Sequence, residues 1–287
     1  MSDMPDSGQS LTELRHQIDV LDAQIHDALI ARARAEAGVY AARQAAGESV
    51  SPFYPDRDAD VMRHLIERHS GDLPLVTVEQ IWRGIVGGCT NTLTDYAVHL
   101  DGSAELTDML DLARFYFGFS VELVPASDAA DVVGAVTASP HDLGIVALTD
   151  RADLPWWRGL SDAGALVSAR LPFVVMDDRP ADLPALVLSK SPGLAETADV
   201  SVFDARWSDI LPGKLMDQGI EVLSFFRSAA GVDAMIAVSG DLTEEDVQRA
   251  CALAGAAPEV LRRIGGYAAP IDGDGASDEF GPEDEGS

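Results

Sequence analysis

Apolar residues recur at Leu14, Ile18, Leu21, Ile25 and Ala28, with polar and mostly charged residues between them. This 4-3-4-3 spacing predicts an amphipathic helix whose seam packs against another helix. Ser10 followed by Glu13 fits a capping box, in which each residue satisfies a free backbone N–H of the first turn. From Leu11 to Gly47 there is no proline, and Gly38 is the one glycine before the end. A helix of well over about 25 residues is expected, the length of a coiled-coil or bundle element. The loop ESVSPFYP follows, then a second helix beginning near Pro55 and fading at Ser70 and Gly71. Thr77 with Gln80 gives another capping-box signature and predicts the start of a third helix, VEQIWRGIVGGCTNTL.

After about residue 95 the pattern changes. Strand-like runs at 96–100, 121–124 and 143–148 alternate with helical patterns at 107–117 and 129–138. Such alternation predicts a parallel sheet. FVVM at 173–176 and ALVL at 185–188 continue the α/β pattern. From about Gly219 there are two strand-like runs, GIEVLSFF and AMIAVS, then a helix, TEEDVQRACALAG, and a final strand at 260–267. The chain therefore divides into a helical segment, 10–95, an α/β segment, 96–218, and a second α/β segment, 219–271. Residues 272–287 are expected to be a disordered acidic tail. No internal repeat is visible.

Composition narrows the function. Hydrophobic residues make up 47% of 287, a globular composition. Lys and Arg total 20 against 48 Asp and Glu, a formal net charge of −28. That surface repels nucleic acid and anionic membranes, so neither is an expected partner. It also makes any convergence of arginines more telling, because the background field opposes an anionic ligand. Cys89 and Cys251 are too few and too separated for a disulfide framework or a zinc site. The six histidines have no metal-ligand spacing, so no metal or other cofactor is expected. The acidic, polar opening MSDMPDSGQS is unlike a signal peptide, and no run approaches the roughly 18 apolar residues that span a bilayer. A cytoplasmic protein is the default expectation.

Arg32 falls in the row where the first helix carries its apolar seam. A permanently charged fork there needs a matching anion. That anion is a carboxylate of the protein or of a ligand, unless the helix is rotated and Arg32 is solvated. Arg43 lies 11 positions on, within about 20° of the same direction and roughly 16 Å along the axis. Arg15 lies 17 positions before Arg32 and points about 100° away. If Arg15 joins the same site, it comes from a partner chain.

The pattern L-R-x-x-I-D-x-L-D, with Arg32 and Arg43 after it, the P-D-R-D start of the second helix and IWRGIV in the third, resembles the all-helical chorismate mutase family over residues 10–95. The resemblance implies three helices per chain intertwined as a homodimer, with the first helix of one chain lending an arginine to the other's site. The implied substrate is chorismate, rearranged to prephenate without nucleophile, metal or obligatory general acid. Catalysis then consists of holding the dianion compact and placing positive charge near the breaking ether bond. By resemblance, Arg15 and Arg32 bind carboxylates and Arg43 approaches the ether oxygen. Arg57 supports the charge network, and Asp58 accepts the substrate hydroxyl. Four positions depart from the family pattern. Arg43 stands where lysine is usual and Asp58 where glutamate is usual. Cys89 and Leu93 stand where a small polar residue and a glutamine or glutamate are usual. Leu93 has no hydrogen to donate to the ether oxygen. Gly84, Gly87 and Gly88 each weaken the third helix by about 1 kcal/mol relative to alanine. A catalytically degenerate protein that binds an aromatic-pathway metabolite or regulates a partner enzyme is the alternative.

Residues 112–148 resemble part of a prephenate dehydratase, and RRIGGYAAP resembles the last strand of an ACT regulatory module. The fold class expected is thus multidomain, α followed by α/β. The dehydratase family's Thr-Arg-Phe is at best Ala169, Arg170 and Leu171 here, so a structural or regulatory role is expected for that region. The last 70 residues also lack the G-A-L and E-S-R-P stretches of the relatives' phenylalanine site. Trp156 and Trp157 are expected to anchor a loop against the sheet. Asp272 and Asp274 hint at a calcium loop, but Ala276 occupies a position that needs an oxygen. No glycine loop for phosphate is present.

Overall fold

The computed structural model describes residues 10–47, 51, 53–190, 198–209, 211–240 and 242–273. Three helices come first: α1 (Leu11–Ala45), α2 (Pro55–Arg68) and α3 (Leu75–Leu93). The capping box forms as the sequence predicts. Glu13 N donates to Ser10 Oγ at 3.3 Å and Ser10 N to Glu13 Oε2 at 2.7 Å. The Ser10 backbone N–H, with its hydroxyl beside it, holds the Glu13 carboxyl below its ordinary range. No residue of α1 is buried within the chain. Its seam residues Ile18, Leu21 and Ile25 are 57%, 54% and 59% exposed. At 35 residues, α1 is about 52 Å long, and only its C-terminal half leans on α3. Pro55 takes the first position of α2, where its missing N–H costs nothing and its fixed φ suits the turn.

The third helix starts earlier than its capping-box signature predicts. Pro74 is the N-cap, and its carbonyl accepts from the N–H groups of Thr77 and Val78 at 2.9 and 3.2 Å. Thr77 is therefore already inside the first turn, and no side chain caps this end. Gly87 has a packing reason: a Cβ there would lie 2.6 Å from the carbonyl oxygen of Phe117. The following helix can approach α3 so closely only because that position is bare.

The rest is one mixed sheet with its covering helices. Its strands are β1 (Ala97–Leu100), β2 (Glu122–Pro125), β3 (Leu143–Ala147), β4 (Leu166–Leu171), β6 (Ala185–Ser189), β7 (Val200–Trp207), β8 (Ile220–Ser228), β9 (Gly231–Ser239) and β10 (Val260–Tyr267). They lie in the order β2-β1-β3-β6-β4-β10-β7-β9-β8. A separate pair joins β5 (Val174–Val175) to β11 (Ile271–Asp272). The helices are α4 (Leu106–Phe117), α5 (Ala129–Ala138) and α6 (Glu244–Ala254). The parallel arrangement holds for β2, β1 and β3, which α4 and α5 connect, and for one register position between β4 and β10. Every other pairing within the large sheet is antiparallel. A fully buried apolar run looks the same in either direction, so hydrophobicity alone does not set the polarity of a strand.

The sheet continues across residues 218 and 219, since β7 is hydrogen-bonded to both β9 and β10. Of the FVVM run, only two residues pair as a strand, and they do so outside the large sheet. Asp272 pairs with Val175 in β11. Residues 274–287, including Asp274 and Ala276, lie outside the described residues.

On one face of the sheet, α5 and the 3-10 turn Trp156–Gly159 pack over Val202, Met235 and Ile264. Trp157 is fully buried there, edge-on to Trp156 at 5.9 Å between ring centroids. The pair does anchor its loop to the sheet. On the opposite face α6 covers Phe203, Ile220 and Ile236. The helical segment is fastened to this body by Phe53 against Phe117 at 6.0 Å and by Arg63 with Asp199 at 2.6 Å. A buried set joins it too, with Glu79 between Arg83 at 3.6 Å and Arg179 at 3.2 Å.

Candidate active site

A cleft of about 400 Å³ opens between the C-terminal half of α1, the start of α2 and the end of α3. Helical periodicity brings Arg32, Glu36, Tyr40 and Arg43 of α1 to one face, each three or four residues from the next. From α2 come Arg57 and Asp58, which the N-terminal proline sets on the first turn. From α3 come Val86, Thr90 and Leu93. Tyr54, just before α2, closes the rim, and the Arg43 guanidinium lies 4.3 Å from its ring centroid. Tyr40 accepts a 3.1 Å bond from Thr94 Oγ1, which ties α1 to the end of α3.

The charges in the cleft are arranged in pairs. Arg32 Nη1 contacts Glu36 Oε2 at 2.6 Å and Cys89 Sγ at 3.4 Å. Arg32 thus has its carboxylate on its own helix, four residues away. The side chains of this pair are 36% and 27% exposed, so a solvent-borne anion can still reach the guanidinium. Burial pushes the Asp58 carboxyl up to about 6, against the pull of Arg83, with Glu36 adding to the rise and Arg32 and Arg57 opposing it. Burial, helped by Glu36, also pushes the Cys89 thiol up, so it is not a poised nucleophile. Burial and Asp58 push the Tyr96 hydroxyl up to about 12.

Of the residues singled out from the sequence, Arg32, Arg43, Arg57, Asp58 and Leu93 line this one cleft. Cys89 contacts Arg32 without being part of the lining. Arg15 is not brought to it. It is exposed on α1, about 25 Å along the axis from Arg32. Sequence reasoning missed Glu36, Tyr40, Tyr54 and Thr90. Glu36 was findable, because a carboxylate four residues after an arginine is the ordinary helical ion pair. Tyr54 and Thr90 carried no signal of their own. Among the described residues no group of His, Cys, Asp and Glu is arranged to hold a metal ion. Nor is any described helix long and apolar enough to cross a membrane.

Residues 14–92, the helical part of the chain, match the family described as chorismate mutase type II. Two curated relatives extend the likeness. The "Bifunctional chorismate mutase/prephenate dehydratase" of Pseudomonas aeruginosa is 31% identical over 146 residues, 50% of this chain and 40% of that protein. The protein of the same name from Stutzerimonas stutzeri is 30% identical over 139 residues, 47% of this chain and 38% of its own length. The matched stretch thus spans about two fifths of those relatives. A solved structure described as "GqqA- a novel type of quorum quenching acylases" aligns over 61% of this chain and 95% of that one, at 14% identity and a TM-score of 0.41. That likeness is too distant to carry an argument.

Proposed function

We propose that this cleft rearranges chorismate to prephenate, a step of aromatic amino-acid biosynthesis. The observation that carries the reading is the convergence of Arg32, Arg43 and Arg57 on one cleft, inside the matched residues of a chain with a net charge of −28. An acidic protein that gathers three guanidinium groups has built a site for an anion. The reaction asks for little else. It is unimolecular and needs the dianion held compact, with positive charge waiting where the ether oxygen gains electron density. Arg32 binds a carboxylate, Arg57 supports the charge network, Arg43 approaches the ether oxygen, and Asp58 accepts the substrate hydroxyl.

The working unit is a homodimer. The exposed seam of α1 is a surface for a second α1, and such pairing brings Arg15 of one chain to the cleft of the other. The test is direct: purified protein is mixed with chorismate, and prephenate formation is followed. No formation above the spontaneous rate sinks the assignment.

One observation favours a second reading, a degenerate mutase that binds an aromatic-pathway metabolite without turning it over. Leu93 gives the cleft an apolar wall where a donor to the ether oxygen would help. Tight binding of chorismate without prephenate formation is the outcome that selects it.

The α/β region is not expected to dehydrate prephenate. Ala169 has no hydroxyl, and Arg170 is engaged by both oxygens of Glu221 at 3.0 and 2.9 Å and by the Tyr267 hydroxyl at 3.3 Å. Phenylpyruvate formed from prephenate at neutral pH, above the uncatalysed rate, would overturn this.

A further inference from the structure

Asp58 has two sides. One lines the cleft, and the other lines a smaller cavity of about 50 Å³ between the helices and the sheet. Arg83 of α3 faces that inner cavity and does not reach the cleft. Its residue is 8% exposed. Its guanidinium lies 4.9 Å from the Tyr116 ring centroid, and among the described residues its Nε has no hydrogen-bond partner.

Behind Arg83 the contacts run into the α/β body. Glu79 pairs with Arg83 and with Arg179. Arg179 donates to the Tyr116 hydroxyl at 3.3 Å and to the Val174 carbonyl. Two cations share one carboxylate, itself pushed up by burial against the pull of Arg83 and Arg179, so at least one positive charge is left over in a dry environment, where its field is little screened.

We propose that Arg83 is a positioning residue that, across the inner cavity, fixes the charge of Asp58 in the cleft, and that the α/β body holds Arg83 in place through Glu79, Arg179 and Tyr116. This rests on the reading of the cleft as a mutase site. The other charged groups around Asp58 are weaker candidates. Arg32 and Glu36 of α1 pair with each other and largely cancel. Arg57, on Asp58's own helix, is exposed, so water screens it. Arg170 of β4 shares the inner cavity but is bound to Glu221. Tyr96 is neutral, because burial raises its hydroxyl far above physiological pH. Arg83 is also the largest single charge opposing the desolvation of Asp58. With Arg83 in place the carboxylate is ionised at neutral pH and accepts a charge-assisted hydrogen bond. The arrangement gives the α/β body a part in the cleft's chemistry without any contact to substrate.

The test uses the full chain. The Asp58 carboxyl is titrated by carbon NMR, assigned by difference against Asp58→Asn, alongside pH profiles of kcat and KM for chorismate. Arg83→Gln should raise the Asp58 midpoint by at least one pH unit, a tenfold change in proton affinity, and carry the acidic limb of kcat with it. Arg83→Lys should restore most of the shift, which a purely structural role would not require. Glu79→Gln should move the midpoint the opposite way, because it frees the field of Arg83. An Asp58 midpoint unmoved in folded Arg83→Gln overturns the proposal, and so does a Glu79→Gln shift in the same direction as Arg83→Gln. If Arg83→Gln does not fold, the sign of the Glu79→Gln shift decides. A wild type without turnover defeats the mutase reading alone, since the NMR titration still decides the role of Arg83.

Discussion

Arg43 on α1 and Leu93 on α3 line the same cleft from different helices, a permanent cation and a side chain with no hydrogen to give. In the mutase reading this leaves Arg43 as the donor to the ether oxygen. Losing one preorganised donor of this kind typically costs about 2.7–4 kcal/mol, or 10²–10³ in rate. Leu93→Gln should therefore raise kcat, with a smaller effect on KM, because the added bond strengthens as charge develops. Steady-state kinetics on chorismate check this. An unchanged or lower kcat in a folded variant would remove the ether oxygen from the vicinity of residue 93.

Arg32 and Glu36 make opposite predictions at one contact. In the mutase reading, Arg32→Ala removes the guanidinium that meets a substrate carboxylate and leaves Glu36 facing the dianion, so turnover should fall at least about 10²-fold. Stability should hardly change, because half-exposed pairs contribute only about 0–1 kcal/mol. Glu36→Gln releases Arg32 from its internal partner and should lower KM several-fold. Thermal melts beside kinetics separate the two effects. Retained turnover in Arg32→Ala would defeat the site assignment.

Arg15 tests the shared site. Arg15→Ala and Arg32→Ala chains should each be nearly inactive. Mixed dimers should regain up to about half of the sites' function, since one of their two clefts is then intact. Verified mixed dimers without activity would mean that each cleft is complete within one chain. A monomer in sedimentation at micromolar concentration would contradict the seam itself.

Asp58 makes a prediction about stability and pH. Its carboxyl is held at about 6 in the folded chain against an ordinary 3.8. A raised acid favours folding while it is protonated, so its contribution is full below about pH 4 and is lost as pH rises through 6. Asp58→Asn, which carries no charge to desolvate, should be more stable than wild type at pH 7.5, by up to about 3 kcal/mol for a shift of this size. The gain should vanish near pH 4. Denaturant melts across pH 4–8 read it, and a gain independent of pH would assign the stabilisation to something other than the charge. In the mutase reading turnover should fall in the same variant, because an amide would accept the substrate hydroxyl less strongly than a carboxylate.

What the sequence determined by itself is local. The capping box at Ser10 and Glu13, the proline start of α2, the span of α5 and the shared face of Arg32 and Arg43 are properties of short stretches. Backbone geometry converts spacing into direction there, whatever the rest of the chain does. The apolar runs likewise located most of the strands. Their polarity was beyond the sequence, because β6, buried on both faces, has the same hydrophobic pattern whichever way it runs, and only its hydrogen-bond partners β3 and β4 decide it. β4 and β7 gave weaker signals, since buried Ser168, Ser201 and Asp204 interrupt their apolar pattern. The start of α3 was misread because Pro74, not Thr77, turned the backbone. The site divides the same way. That an arginine sits on the α1 stripe is written in the spacing. Tyr54 and Thr90 complete the cleft only because three helices meet there. The charge on Asp58 was decided by tertiary structure alone. It depends on burial and on the charge of Arg83, 25 residues along the chain, and no local pattern encodes how much water a folded chain excludes from a carboxylate.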